Sequence, residues 1–403
     1  RDAFLAVQEL VNKGLIMAGH DISAGGLITT LLEMCFSNME GGMEISLNKI
    51  KEDDITKILF AENPGIVIQV KNKHKEEVKK ILEDAGIGYV KLGKPTEERH
   101  ILVEKGDATY QFGIDYLRDV WYSTSYLLDR KQSMNGCAKK RFENYKKQPL
   151  EFVFDKSFTG KLSQFGLNPD RRTPTGIKAA IIREKGTNGE REMAYMLYLA
   201  GFDVKDVTMT DLVSGRETLE DINFIVFCGG FSNSDVLGSA KGWAGAFLFN
   251  PKAKAALDNF YARKDTLSLG VCNGCQLMIE LNLINPDFTK KAKMLHNDSH
   301  KFESKFVGVT IPMNRSVMFG SLSGSKLGIW VAHGEGKFSL PYHEDKYNVV
   351  LKYSYDEYPG NPNGSDYSVA GLASPDGRHL AMMPHLERSC FPWQNAYYPA
   401  DRI

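Results

Sequence analysis

The spacing of hydrophobic residues divides the chain into stretches with different predicted structure. In the first, short apolar runs alternate with segments in which apolar residues recur every three or four positions, which predicts alternating strands and helices. The expected strands are residues 15–18, 43–47, 65–70, 89–92 and 100–103. The expected helices are residues 2–11, 27–35, 53–61 and 74–85. Residues 1–113 are therefore predicted to form a small α/β or α+β domain.

The second stretch joins a helical segment to a polar connection. Residues 114–145 have helical spacing and many aromatic side chains. Residues 148–175 are rich in Pro, Gly, Asp and Ser, which is typical of a linker. We therefore expect residues 114–175 to separate two domains.

Beyond residue 176 the pattern changes to continuous apolar runs separated by helical segments. Such runs are typical of strands that are buried on both faces of a parallel sheet. The clearest run lies at residues 177–182. Further strands are expected at 202–209, 223–228 and 266–271, and then at 306–311, 328–331 and 348–353. Residues 176–403 are therefore predicted to form an α/β domain with a doubly wound, mostly parallel sheet.

Charge and composition exclude several classes of partner. The chain has 50 basic and 50 acidic side chains, so a basic stretch at residues 139–147 indicates a solvated helix end and no nucleic-acid partner is expected. No apolar run approaches the roughly 18 residues of a membrane span, so no membrane partner is expected. Six cysteines without a framework spacing favour a reducing compartment, the cytoplasm. The chain begins within a predicted helix and without Met, which we interpret as a fragment of a longer protein.

The main chemical feature is the strand-to-helix junction at residues 266–280. Cys272 lies between Gly270 and Gly274, where an apolar strand meets a segment of helical spacing. Glycines permit a tight turn, and we expect the turn to lift the thiol into solvent. Backbone N–H groups at the helix start favour an anion there, first a thiolate and later an oxyanion. Cys272 is therefore a candidate nucleophile.

Three other interpretations of this junction stay open at this point. Cys272 and Cys275 form a C-x-x-C motif, which also occurs in redox pairs and as half of a zinc site. The chain has no second C-x-x-C motif and no H-x-x-x-H motif to complete a zinc site. An ordinary buried cysteine is the third alternative.

A nucleophilic cysteine needs a histidine, and two segments offer one. His385 and Glu387 follow Pro384, and in an extended segment both side chains face the same way, so the carboxylate can orient the imidazole. His333 competes for the same role, because Glu335 also lies two residues after it. Gly229 and Gly230 end another predicted strand, where a backbone N–H can approach a substrate oxygen.

A second candidate site lies in the first domain, in the loop of residues 20–26. Asp21 and Ser23 share a face of an extended segment and could hold Mg²⁺ and a phosphate above the helix that Gly25 and Gly26 open. The alternative is a helix cap formed by Asp21 or Ser23.

These motifs together resemble a known family. Residues 270–276 resemble the G-x-C-x-G-x-Q signature of class I glutamine amidotransferases. Residues 229–232, 361–365 and 382–388 look like the version found in the large, single-chain phosphoribosylformylglycinamidine synthase family. Residues 19–26 and 59–62 resemble the last part of that family's synthetase half. The order of the motifs agrees, so the chain looks like the C-terminal third of such an enzyme.

The resemblance implies a reaction and its participants. Glutamine would be hydrolysed in one domain, and the ammonia would pass to the upstream synthetase domains of the same polypeptide. There, with ATP and Mg²⁺, formylglycinamide ribonucleotide would become the amidine of purine biosynthesis.

The resemblance also implies the role of each site residue. Cys272 would be the nucleophile, His385 the general acid and base, and Glu387 its orienting group. The oxyanion hole would consist of Asn273 and of Gly229 or Gly230. The remaining residues implied are Gln276, Phe231 and Ser232 for the substrate glutamine, Asp21 for Mg²⁺ and Ser23 for ATP.

The chain departs from the family pattern at three places. Ala24, Leu386 and Asp298 stand where Asp, Pro and Arg are usual. Two other functions stay open: a glutaminase domain that serves another ammonia-using synthase, and a non-enzymatic docking or regulatory module on the same fold.

Overall fold

The computed structural model describes residues 1–147 and 150–399. Within it the chain divides into two compact units, residues 1–128 and 129–403. In the described part of the chain, no helix is both long enough and apolar enough to cross a membrane.

The first unit alternates helices and strands. In chain order the elements are α1 (Asp2–Asn12), β1 (Ile16–Ile22), α2 (Gly26–Phe36), β2 (Gly42–Ser46), α3 (Ile55–Phe60), β3 (Gly65–Val70), α4 (Lys75–Asp84), β4 (Gly93–Thr96), β5 (His100–Lys105), β6 (Ala108–Gly113) and α5 (Ile114–Gln132), which continues past the unit's end. β1 and β3 form an antiparallel pair, and the other strands form a sheet in the order β4-β2-β5-β6. The predicted mixed α and β character of this region is confirmed.

Two predicted strands of this unit have different bounds in the structure. The strand expected at residues 89–92 is wrong, because these residues have no regular structure and the strand is β4. A Cβ at Gly93 would lie 1.8 Å from the Glu44 carbonyl oxygen of β2. Only a residue without a side chain fits there, so the pairing of β4 with β2 begins at Gly93. β1 extends four residues past its expected end, because Asp21 and Ile22 still pair with β3.

The second unit contains one large sheet. Its elements are α6 (Cys137–Asn144), β7 (Lys178–Arg183), α7 (Glu190–Leu199), β8 (Asp203–Thr208), α8 (Met209–Ser214), β9 (Phe224–Phe227), α9 (Lys241–Leu248), α10 (Pro251–Ala262), β10 (Leu267–Val271), α11 (Asn273–Glu280), β11 (Lys293–Leu295), β12 (Glu303–Thr310), β13 (Lys326–His333), β14 (Lys337–Ser339), β15 (Asn348–Tyr353), β16 (Val369–Ala373) and β17 (His379–Met382). The strand order of the large sheet is β13-β12-β15-β16-β17-β10-β9-β7-β8.

The strands of this sheet fall into a parallel half and an antiparallel half. β8, β7, β9, β10 and β17 run parallel, and β16, β15, β12 and β13 extend the sheet by antiparallel pairing. Every residue of β9 and β17 is buried, as the continuous apolar run predicted for β9. The predicted α/β fold is confirmed. β9, β10 and β17 are neighbours, so their carboxyl ends meet at one edge.

The segment before the sheet consists of two helices instead of one. The helical pattern of residues 114–145 is interrupted between α5 and α6, where Gly136 has a φ of 71°. One residue of the basic stretch in α6 forms ion pairs within the protein. The Arg141 guanidinium lies 2.6 Å from the Asp129 carboxylate and 3.1 Å from that of Glu303. Arg141 therefore has a structural role.

Candidate active site

Cys272 lies at the turn between β10 and α11, in a strained backbone conformation. Its φ of 52° and ψ of −106° are rare for a residue with a side chain. A Cβ at Gly270 would lie 2.5 Å from the Gly274 carbonyl oxygen, and one at Gly274 would lie 2.0 Å from that of Phe227. The two glycines are therefore required for the close approach of strand, turn and helix.

The expected exposure of the Cys272 thiol is wrong. Cys272 is only 6% exposed. Its sulfur donates to the Ala332 carbonyl oxygen at 3.4 Å, and its backbone N–H donates to Met382 at 2.9 Å. The ends of β13 and β17 thus enclose the turn, and the thiol lies in a closed site from which bulk water is largely excluded.

His385 and Glu387 lie in the segment that follows β17. The His385 N–H donates to the Trp330 carbonyl oxygen at 2.8 Å, and residues 386–388 form a single 3₁₀ turn. The His385 Nδ1 lies 2.6 Å from the Glu387 Oε1, and both side chains are buried. Because Nδ1 is bonded to the carboxylate, the other ring nitrogen remains for the hydrogen bond between His385 and the Cys272 side chain.

The environment of His385 favours its protonated form. Burial of the ring opposes the charge, but the Cys272 and Glu387 side chains outweigh burial and raise the pKa of His385 to about 10. The imidazolium therefore persists at neutral pH and presents a cation to the sulfur, the arrangement that favours a thiolate.

His333 does not form a comparable pair. Its Nε2 lies 3.0 Å from the Asn363 amide nitrogen, and the Glu335 carboxylate bonds the Ser239 N–H at 3.3 Å instead of His333. Burial, reinforced by the charges of His385 and Lys305, lowers the pKa of His333 to about 3. A neutral ring without a carboxylate partner fits a structural role better than that of the general base.

The glycine pair after β9 lies directly against the thiol and the imidazole. A Cβ at Gly229 would lie 2.9 Å from the His385 Cε1 and 3.4 Å from the Cys272 Cβ. Gly230 has a φ of 135°, and a Cβ there would lie 2.4 Å from the Thr187 Cα. The Gly229 carbonyl accepts from the Asn188 N–H at 2.8 Å, so the N–H of the same trans peptide, which belongs to Gly230, points the other way. This orientation makes Gly230 the better oxyanion donor of the two.

Asn273 begins α11, and Gln276 lies one turn further on. The N–H of a first helical residue has no acceptor within its helix, so Asn273 N–H is free for an oxyanion. The Asn273 side chain accepts from the Ser232 N–H at 3.1 Å and donates to the Gln276 Oε1 at 2.9 Å. Gln276 donates in turn to the Glu335 carbonyl at 2.8 Å. Both ends of the Gln276 amide thus bind the protein, and its contact with a substrate stays a prediction.

Phe231 and Ser232 follow the glycine pair and have different environments. The Phe231 ring is exposed, with its centroid 5.9 Å from that of Phe302. Ser232 is buried, and its hydroxyl has no hydrogen-bond partner among the described residues.

The other buried thiols near this site are poor nucleophiles. Burial raises the pKa of Cys228 to about 12, and burial, with the charge of Cys272, also raises that of Cys275 well above its usual range. Cys272 and Cys275 are both free thiols. Within residues 1–147 and 150–399, no three metal-ligating His, Cys, Asp or Glu side chains come together.

The candidate site of the first unit differs in part from the expectation. The Asp21 side chain is 72% exposed at the end of β1, and Ser23 is exposed beside it. Neither side chain caps α2, which has Gly25 at its N-cap, so the helix-cap alternative is wrong. The Gly25 N–H donates to the Glu62 carboxylate at 2.8 Å. A carboxylate therefore already occupies the start of α2, where a phosphate was expected.

Two of the three departures from the family pattern have a clear structural setting. Asp298 pairs with the Lys337 ammonium at 2.7 Å, next to Asn297, whose side chain bonds the His333 carbonyl at 2.7 Å and the Gly336 N–H at 3.0 Å. Leu386 lies within the 3₁₀ turn that holds Glu387. The His385–Glu387 bond thus forms without a proline between them.

Sequence reasoning missed the backbone acceptors that enclose the thiol. The Ala332 and Trp330 carbonyls contact Cys272 and His385 through main-chain atoms, so no side chain signals their role. The density of glycines around His333 and Glu335 was the available signal, because glycines mark close backbone approach.

Replacing Gly229 with alanine is expected to lower glutamine hydrolysis about 100-fold, because the new methyl group would displace the imidazole from the sulfur. Steady-state kinetics for glutamine, with thermal unfolding of the same samples, measure the effect. Gly88→Ala is the matched control, since a Cβ at Gly88 meets nothing within 4 Å. Full activity of Gly229→Ala would contradict the placement of the imidazole.

Comparison with protein families divides the chain into two matched regions. Residues 176–403 match the family described as CobB/CobQ-like glutamine amidotransferase domain. Residues 1–105 match the family described as AIR synthase related protein, C-terminal domain.

Curated relatives match nearly the whole chain. The probable phosphoribosylformylglycinamidine synthase, chloroplastic/mitochondrial, of Arabidopsis thaliana is 38% identical over 428 residues, which cover 100% of this chain and 29% of that protein. The phosphoribosylformylglycinamidine synthase of Homo sapiens is 38% identical over 432 residues, which cover 98% of this chain and 32% of that protein. This chain thus spans less than a third of either relative. A chain of the PurLQS structure from Thermotoga maritima is 28% identical with a TM-score of 0.45, over 55% of this chain and 92% of that one.

Proposed function

The chain belongs to the CobB/CobQ-like glutamine amidotransferase family, and from this premise we propose that Cys272, His385 and Glu387 release ammonia from the side chain of glutamine. The observation that carries the proposal is the buried chain of contacts from the sulfur through the His385 imidazole to the Glu387 carboxylate, with the Gly229 backbone packed against it. Glutamine is the substrate, and ammonia and glutamate are the products.

The first half of the reaction forms a thioester. The Cys272 thiolate attacks the amide carbon, and the carbonyl oxygen gains negative charge opposite the N–H groups of Gly230 and Asn273. The His385 imidazolium then gives its proton to the amide nitrogen, the carbon–nitrogen bond breaks and ammonia leaves. Glu387 keeps the imidazole oriented throughout, since its carboxylate accepts from Nδ1 at 2.6 Å.

The second half consumes water and restores the site. The neutral His385 takes a proton from water, the resulting hydroxide attacks the thioester carbon, and the Cys272 thiolate leaves. Glutamate is released, and His385 is again an imidazolium. The enclosed position of the sulfur limits the access of bulk water. Released ammonia is therefore more readily passed on within the protein than lost to solvent.

We further propose that the ammonia serves the ATP-dependent conversion of formylglycinamide ribonucleotide into its amidine, in purine biosynthesis. Relatives at 36–38% identity that cover 97–100% of this chain bear the name phosphoribosylformylglycinamidine synthase. Their additional length is consistent with upstream synthetase domains that hold the nucleotide substrates. In this scheme residues 1–113 are the end of the synthetase half, residues 114–175 the connection and residues 176–403 the glutaminase, and the cytoplasm is the compartment.

Mg²⁺ and ATP are proposed as partners of the first unit at an auxiliary position. The exposed Asp21 carboxylate fits a Mg²⁺ ligand, and the Ser23 hydroxyl beside it fits a nucleotide contact. The Glu62 carboxylate at the start of α2 repels a bare phosphate. A bound Mg²⁺ would supply the positive charge that a nucleotide phosphate needs there.

A chloroketone analogue of glutamine tests the glutaminase. We expect mass spectrometry to find the label on Cys272, because its thiol alone is paired with an imidazolium, and we expect free glutamine to protect it. Label on Cys275 or Cys228 would contradict the assignment, and no glutamine-protected label would favour a docking or regulatory module. If Cys272 is labelled but the complete protein forms no amidine from formylglycinamide ribonucleotide, the glutaminase would instead supply ammonia to another synthase.

A further inference from the structure

The main chain of His385 is attached to a strand that is distant from its own strand in the sheet. His385 follows β17, which lies in the middle of the large sheet, whereas β13 is the outermost strand at one edge. The chain after β17 nevertheless reaches β13, where Trp330 and His385 form an isolated antiparallel bridge. The outer N–H and C=O groups of an edge strand are free to pair with such a segment. This single bridge therefore fixes the His385 main chain to the sheet.

The bridge uses a side chain for one of its two connections. The His385 N–H donates directly to the Trp330 carbonyl at 2.8 Å. The Trp330 N–H donates to the Ser389 hydroxyl at 3.3 Å, and this hydroxyl donates to the His385 carbonyl at 3.3 Å. In a regular antiparallel pair the two residues would exchange both bonds directly. The Ser389 hydroxyl therefore replaces the second bond and sets the separation between His385 and β13.

The residues that follow Ser389 are held against the same tryptophan. The Trp330 indole N–H donates to the Gln394 carbonyl at 2.7 Å. The Gln394 Oε1 in turn accepts from two consecutive main-chain N–H groups just after Ser389, each at 2.9 Å. Trp330 thus bonds both ends of the 389–395 segment, one end through its main chain and the other through its ring. The segment keeps the Ser389 hydroxyl between Trp330 and His385.

The His385 imidazole has little freedom to compensate for a shift of its main chain. A Cβ at Gly229 would lie 2.9 Å from the His385 Cε1, and the His385 Nδ1 lies 2.6 Å from the Glu387 Oε1. A misplacement of about 1 Å at a reacting group can cost roughly 100-fold in rate. A smaller shift of the His385 main chain therefore changes the alignment of the imidazole with Cys272 enough to affect the reaction.

We propose that Ser389 and Trp330 are positioning residues, which hold His385 in line with Cys272 by completing the bridge between β13 and the segment after β17. Both act through His385 and not on the substrate. This inference rests on the proposed glutaminase function, and it adds residues that control the turnover of bound glutamine.

Replacing Ser389 with alanine is expected to lower kcat for glutamine hydrolysis about 10-fold and to change KM less than about twofold, because only the imidazole is displaced. Ser389→Thr keeps the hydroxyl and should retain at least about half of the original kcat. Ser323→Ala, in the turn before β13, is the matched control. The Ser323 hydroxyl also donates to a carbonyl, that of Gly320 at 2.8 Å, and accepts an N–H, from Asn314 at 3.2 Å. Thermal unfolding of the same samples measures any loss of stability.

A second variant and a second measurement separate positioning from general stability. Trp330→Phe keeps a ring beside Phe306, whose centroid lies 5.1 Å away, but removes the N–H that holds the 389–395 segment. We expect kcat to fall about threefold. NMR titration of the His385 imidazole reports its alignment without turnover, because the Cys272 and Glu387 side chains raise its pKa. That pKa should be lower in Ser389→Ala than in the unaltered protein and in Ser389→Thr.

Each result supports or overturns the positioning role. An unchanged kcat in Ser389→Ala, an equal loss in Ser389→Thr or Ser323→Ala, or a lower kcat with an unchanged His385 pKa would overturn it. If Ser389→Ala does not fold, the same comparison with Trp330→Phe decides. If the unaltered protein hydrolyses no glutamine, the proposed function fails, whereas the titration still decides whether Ser389 and Trp330 position the imidazole.

Discussion

Replacing Cys272 with alanine is expected to lower glutamine hydrolysis by at least about 1,000-fold, because no other group in the site can form the thioester. The neighbouring thiols do not substitute for it, since burial raises the pKa of both Cys228 and Cys275. Glutamate release from glutamine is the measurement. The substitution removes one atom from a closed site, so the thermal unfolding temperature should change little.

The complete enzyme allows a sharper form of this test. Under the proposed function, Cys272→Ala should abolish synthesis driven by glutamine and spare synthesis driven by added ammonium salt, which bypasses the amide. Loss of both activities would mean that Cys272 supports the fold instead of attacking the amide. Cys137→Ala, which removes another buried thiol at the start of α6, is the control and should retain both activities.

Replacing Glu387 with glutamine is expected to lower glutamine hydrolysis about 100-fold or more, because the neutral amide no longer supports the imidazolium. The Glu387 carboxylate lies 2.6 Å from the His385 Nδ1 and contributes to the raised pKa of about 10. Without the carboxylate the pKa of His385 should fall. Titration of the His385 ring against pH, followed by NMR of the imidazole protons, measures this change directly.

The direction of the pH effect follows from the raised pKa. In the unaltered protein His385 is charged below pH 10, so its support of the thiolate is present at neutral pH and is lost as the pH rises through about 10. In Glu387→Gln that loss should occur at a lower pH. Glu344→Gln, which removes a carboxylate paired with Lys352, should leave the profile unchanged. An unchanged profile in Glu387→Gln would show that the carboxylate does not control the imidazole.

Much of the active site was predictable because its parts are local in sequence. The turn at Cys272 is specified within residues 266–280, where an apolar strand, two glycines and a helical pattern follow one another. His385 and Glu387 are two residues apart, so their mutual orientation is also a local property. The parallel arrangement of β7, β8, β9 and β10 followed from the alternation of strand and helix patterns, and burial on both faces followed from the apolar run of β7.

The choice between the two candidate histidines required the tertiary structure. His333 and His385 each precede a glutamate by two residues, so the local sequence hardly distinguishes the two as candidates for the general base. In the folded chain β17 lies beside β10, which brings His385 to the sulfur, whereas Asn363 holds the His333 ring and lowers its availability as a base. The distinction depends on strand order, which no local pattern encodes.

The sequence by itself determined the α/β fold, the position of the thiol turn and the pairing of His385 with Glu387, because each depends on neighbours along the chain. Only the tertiary structure decided that the thiol is enclosed and that Glu62 occupies the start of α2. These features arise where backbone carbonyls and side chains from distant segments converge, and their energies depend on burial and on the distance between charges. Neither quantity exists until the chain has folded.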